Sequence, residues 1–247
     1  DGIFSMDSVA LRAQEGNSVT FYDPFRNGGD GAEYDNIAFD LNKSEDVDAT
    51  PYDGTAPEFA GTIRFSGAEA DKLITQAEGE SEADWQKRLD ESKYFNVSGK
   101  TLYDGTLILE DGVTYGNSDL SKDSSFTVKK GTLEITGNSS VNSNAIALES
   151  GVTLRTGRGA TFRADTVDIS KGVIFDFRPF MDDYSSGLHI EQASSHTMGG
   201  LMGVADSLSD YAHNRWATEQ HFLAISIGDE ALPGTTGDFD DIYSSAT

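Results

Sequence analysis

One pattern of sequence recurs four times in this chain. In GTLILEDGVTYG, Leu107 and Leu109 alternate with outward positions, Asp111–Gly112 turns the chain, and Val113 and Tyr115 alternate again. NAIALESGVTLR repeats it with Ile146, Leu148, a turn at Gly151, Val152 and Leu154. DTVDISKGVIFD repeats it with Val167, Ile169, a turn at Gly172, Val173 and Phe175, and GTLEITGNSSVN is a looser copy with Leu133, Ile135, Gly137 and Val141. Alternation with period two puts all the apolar members of a strand on one face. Gly151 and Gly172 stand 21 residues apart, and Gly112 and Gly151 stand 39 apart, near twice that. A period of roughly 20 residues is the rung length of a parallel solenoid, in which each rung covers the apolar edge and backbone rows of the last. An antiparallel sandwich, with turns about every 8–12 residues, is the structural rival. The recurrence of the whole strand–turn–strand unit favours the solenoid.

Upstream, DSVALRAQEGNSVTFYDPF carries Val9 and Leu11, a turn near Gly16, then Val19 and Phe21, until Asp23–Pro24 stops the strand. NIAFDL and FAGTIRFSG read as further strands with Ile37, Phe39, Ile63 and Phe65 facing inward, separated by polar, Gly/Pro-punctuated loops. From Ala68 to about Lys93 the composition turns to Ala, Glu, Lys and Gln, which favours helix. Ser81 with Asp84 predicts an N-terminal cap for ADWQKRLDESK. Trp85 and Leu89, four apart, predict a helix face packed on the solenoid. A second helix is expected over 204–217, carrying Tyr211 and Trp216, and a last strand over 221–227. The domain expectation is a β-helix over 1–180 with a helical insert at 68–93, followed by an extension over 181–247.

The chain has 247 residues and a formal net charge of −24. That field repels nucleic-acid phosphates and anionic bilayers, so neither is an expected partner. There is no cysteine, which excludes disulfides, zinc-thiolate sites and a cysteine nucleophile, and suits a chain that crosses an oxidising periplasm unfolded. No apolar run approaches the ~20 residues of a membrane helix. The sequence opens on charged Asp1, so any signal segment is expected to have been removed.

Candidate chemistry is thin. Asp182–Asp183 and Asp240–Asp241 fall in predicted loops, and adjacent residues on a strand would in any case point to opposite sides, so they read as solvated surface rather than a hydrolytic pair. His189, His196, His213 and His221 are scattered without metal-binding spacing. Gly28, Gly29 and Gly31 lack a following P-loop lysine. DLNKSED sets Asp40, Asn42, Ser44 and Asp46 at alternate positions like the start of a calcium loop, but Glu45 and Pro51 stand where such a loop needs glycine and glutamate. No catalytic, cofactor-binding or metal-binding residue is therefore assigned, and no cofactor.

The order GTIRFSG, an acidic helical insert, then GKTLYDGTLILEDGVTYG resembles the passenger region of bacterial autotransporters, as do FYDPF upstream and the rungs ending near Phe177. The nearest likeness is to the passenger section beside the barrel in the chlamydial polymorphic outer-membrane proteins, over roughly Val9 to Phe177. The resemblance implies an all-β, right-handed parallel β-helix displayed on the cell surface of a Gram-negative bacterium, or secreted, in a virulence setting. It implies adhesion or self-association through a host or bacterial surface protein or glycan, without catalysis, and contact with the outer membrane only through a barrel that this chain lacks. The adhesive GGA tetrapeptide of that group does not occur here, and F-x-x-N occurs once, at Phe39–Asn42. A polysaccharide-active β-helical lyase or hydrolase, and a purely structural stalk, are the alternatives.

Overall fold

In the computed structural model, residues 8–22, 38–44, 59–95, 99–116, 124–170, 172–176, 178–180, 187–191, 195–198 and 224–227 are described. The chain runs as successive passes. β1 (Ser8–Leu11) and β2 (Ser18–Phe21) belong to the first, and β3 (Ala38–Leu41), β4 (Thr62–Ser66), the helices α1 (Ala70–Leu73) and α2 (Glu82–Ser92), and β5 (Tyr94–Phe95) to the second. β6 (Gly99–Leu102), β7 (Thr106–Glu110) and β8 (Thr114–Gly116) form the third; β9 (Ser125–Val128), β10 (Thr132–Ile135) and β11 (Ser140–Asn142) form the fourth. β12 (Ala145–Leu148), β13 (Thr153–Thr156) and β14 (Ala160–Arg163) make the fifth, then β15 (Thr166–Ile169), β16 (Ile174–Phe175) and β17 (Gly187–Glu191) the sixth. β18 (Ser195–Met198) and β19 (Ala224–Ile227) continue the series.

The second to sixth passes each lay one strand in each of three parallel sheets. The first sheet has the order β1-β3-β6-β9-β12-β15-β18, the second β2-β4-β7-β10-β13-β16, and the third β5-β8-β11-β14-β17-β19. The arrangement is consistent with a parallel β-helix, and the parallel pairing throughout the described sheets removes the antiparallel sandwich. Strands beyond residue 180 pair on the same sheets as those before it.

The register stacks like on like. In the second sheet Leu107, Leu133, Leu154 and Phe175 follow one another, the last two steps being 21 residues. These side chains, with Phe95, Tyr115, Val141, Phe162 and Ile190 from the third sheet, are buried in one apolar core. Burial of a large aliphatic side chain stabilises by about 1.5–3 kcal/mol, so the columns supply the main driving force. Phe21, Phe65, Phe95, Tyr115 and Phe126 add ring contacts 4.8–6.1 Å between centroids along the axis. Of the expected inward residues, Val19 is 39% exposed although it pairs in register with Ile63. The reason is position: β2 is the edge strand of its sheet.

The corners explain the repeat and correct one part of it. GTLILEDGVTYG and GTLEITGNSSVN cross from the second sheet to the third, whereas the other two copies cross from the first to the second. Gly112 and Gly151 therefore sit at different corners, and their 39-residue spacing is not two rungs. A three-sided pass writes the same strand–turn–strand unit at more than one corner. At the corner between first and second sheets, the Thr132 N–H donates to Gly105 O at 2.8 Å, and a Cβ on Gly131 would lie 2.1 Å from that oxygen. Passes five and six have a corner one residue longer, and there Val152 takes the equivalent place.

The expected helical insert leaves at the corner between second and third sheets. Ser81 Oγ accepts from the Asp84 N–H at 3.2 Å, as the cap requires. Trp85 Nε1 donates to Ile74 O at 2.9 Å and Leu89 is buried. Arg88 grips both carboxylate oxygens of Glu80 at 2.6 Å; with the Ala77 N–H it holds that carboxyl down to about 2. Both ends of the insert are tied to the third pass: the Gly67 N–H donates to Glu110 O, and the Thr114 N–H to Lys93 O. The helix expected over 204–217 lies outside the described residues, whereas the last expected strand is present as β19 on β17.

Because its ends are anchored independently and it buries few side chains, among them Ala70, Leu89 and Ser92, the insert is expected to be dispensable to the stack. Joining Gly67 to Tyr94 through a short Gly/Ser linker is expected to retain the β circular-dichroism signal and a cooperative melt while removing the helical signal. Global unfolding of that variant would place the insert in the core.

Candidate functional site

The calcium-like run dissolves into other roles. Asp40 pairs with Lys43 at 3.1 Å. Asn42 is buried in a left-handed conformation with φ 54°, and its amide is committed to main chain from three passes. Its Oδ1 accepts from the Ala13 N–H at 2.8 Å, while Nδ2 donates to Gly61 O at 2.9 Å and to Asp104 O at 3.0 Å. A side chain bonded in that way is a structural tie between passes. Asp46 lies outside the described residues, as do Gly28, Gly29, Gly31, Asp182, Asp183, Tyr211, His213, Trp216, His221, Asp240 and Asp241. His189 stands half-buried on β17, in register with Thr161, and His196 pairs in register with Val167.

Two constellations absent from the sequence reading emerge from the fold. The first is interior. Lys100 occupies the inward column of the first sheet between Phe39 and Phe126, with 1% of its surface exposed. Its Nζ donates to Asn142 O at 3.1 Å and Ser143 Oγ at 3.3 Å, and lies 5.8 Å from the centroid of the Tyr115 ring. Burial pushes the amine down to about 7 and the Tyr115 phenol up. The Tyr115 hydroxyl and Asn142 Oδ1 are buried without hydrogen-bond partners. Alternation carries a signal for this residue: in GKTL, Lys100 shares the face of Leu102.

The second constellation is external, at the corner between first and second sheets. Tyr103 lies between Lys43 of the pass before and Lys129 of the pass after, whose Nζ atoms are 5.4 and 4.7 Å from its ring centroid. Arg12 lies 5.5 Å from the Phe59 centroid, and Lys130 pairs with Asp104. Such cation–aromatic contacts contribute about 0.5–1 kcal/mol each at exposed sites, so the corner is a ladder binding neighbouring passes. The outer face of the second sheet is laced similarly: Arg64 pairs with Glu110, and Arg155 lies 3.6 Å from Glu134 and 3.1 Å from Asp176. These acids are taken up by cations across passes. Among the described residues no group of three His, Asp or Glu side chains is placed to hold a metal ion.

Comparison with known proteins gives no matching family model, no matching curated protein and no matching solved structure.

Asn42→Ala removes two buried hydrogen bonds and one part-buried one, and leaves a Cβ residue at positive φ. A loss of about 2–4 kcal/mol in folding stability is expected, read as a lower urea midpoint with an unchanged slope. Saturating calcium should leave the wild-type midpoint where it was.

Proposed function

We propose that this chain is a right-handed parallel β-helix of the autotransporter-passenger kind, displayed on or released from a Gram-negative cell surface, and that it acts by binding rather than by catalysis. The observation that carries this reading is the stack itself. Three parallel sheets expose long outer faces, and the segment over 68–93 leaves its pass at a corner, so the scaffold can carry an insert beside its core. Right-handedness follows from the strong preference of parallel crossover connections for that hand. The autotransporter assignment draws on the motif order from GTIRFSG to GKTLYDGTLILEDGVTYG, and adhesion or self-association is the use that resemblance implies. The pairing of Glu110, Glu134 and Asp176 with arginines supports a non-catalytic role, because carboxylates tied across passes are held away from acid–base work.

The purified chain should bind saturably to a subset of glycans on an array or to host cells, or should cause cells displaying it to clump. It should leave pectin, mucin glycans and uronate polymers intact. Absence of binding and clumping, together with turnover that one Asp or Glu replacement abolishes, would transfer the assignment to a polysaccharide-active enzyme.

A further inference from the structure

We propose that Lys100 is a proton-operated latch on the corner between third and first sheets: as a neutral amine it ties β6 to the Asn142–Ser143 turn, and protonation biases the corner toward an open form in which the ammonium leaves the interior. The geometry is unusual for a lysine. Phe39 and Phe126 flank it within its own sheet, Tyr115 faces it from β8, and Asn142 and Ser143 meet it from the end of β11. Asp40, one position from Phe39, lies on the outward face of β3 and is paired with Lys43. Among the described residues the ionisable group facing the amine is therefore the Tyr115 phenol, which burial keeps protonated.

A neutral amine fits this cage, because two donated hydrogen bonds use both of its protons. An ammonium has three protons and a full charge, and among the described residues it meets two neutral oxygens and a ring face. The main chain is tight around it: a Cβ built on Gly116 would lie 2.7 Å from Nζ and 1.7 Å from Asn142 O. Asn142 Oδ1, buried and unpartnered in the closed corner, gains water when the corner opens.

The sign of the response follows from the two proton affinities. In the closed corner the amine titrates at about 7, and in water a lysine titrates near ~10.4. Between those values the open form takes up a proton that the closed form refuses. Opening thus becomes about tenfold easier for each unit of pH lowered from about 10 to about 7, and is level below 7, where both forms carry the proton.

The test is a pH series from 6 to 10 on the full chain, combining amide exchange with NMR titration of isotope-labelled lysine side chains. The Lys100 signal should titrate near 7, and the opening constant at 99–102, 113–116 and 140–145 should follow that tenfold slope and plateau. Local openings at 153–156 that leave the amine enclosed should show only the intrinsic chemistry of exchange. Lys100→Met, of similar length and without a titrating group, should abolish the slope at all three segments. Titration of Lys100 above about 9, or an unchanged slope in Lys100→Met, overturns the proposal. If that variant does not fold, the wild-type side-chain titration decides alone.

Discussion

Main-chain hydrogen bonds from each pass to the one before it carry this structure, and they run around the corners as well as along the strands. Thr106 N–H reaches Gly61 O, Thr132 reaches Gly105 O, Thr153 reaches Gly131 O and Ile174 reaches Val152 O, a continuous file at one corner. A parallel strand satisfies its backbone only against neighbours far away in sequence, so no pass is stable by itself. The glycine file follows from this requirement. Where corners are short, successive backbones approach so closely that a side-chain carbon is excluded, and where the corner gains a residue, valine returns.

The side chains then decide how firmly the passes are locked in register. Inside, aliphatic columns and the aromatic run from Phe21 to Phe126 are tolerant of small axial shifts, since dispersion is not directional. Directional contacts remove that tolerance. Asn42 fixes three passes at one corner, Tyr103 sits between lysines of the adjacent passes, and Arg155 joins acids of the fourth and sixth. The acidic chain thus places several of its 18 cations where each holds more than one turn of the stack.

Much of this was legible in the sequence because period-two alternation and turn glycines are local signals. Leu107, Leu109, Val113 and Tyr115 are buried as their spacing requires, as are the corresponding residues of the other three copies. The insert was legible for the same reason, since Ser81 and Asp84 interact within one helical turn. Which corner each copy crosses was not legible, because both corners that the copies cross use Gly, with an occasional Asn or Asp, at positive φ. The role of Asn42 was hidden in a calcium-like run, since its partners Ala13, Gly61 and Asp104 become neighbours only after the passes stack. Lys100 broke the binary pattern at an inward position, a local signal whose meaning depends on Tyr115, Asn142 and Ser143 arriving from distant sequence.

The fifth pass has a consequence for how chains of this kind change length. Residues 145–165 span one full circuit, and each of its strands is flanked by strands of matching register on either side. Excising that block would join Asn144 to Thr166 and bring Val167 onto Phe126, Phe175 onto Leu133 and Ile190 onto Val141. The shortened protein would present the same three faces, one strand spacing shorter. Length in such a molecule is a genetic variable that can move in whole circuits, while a single-residue cut inside a strand turns the side chains after it in that strand to the opposite face.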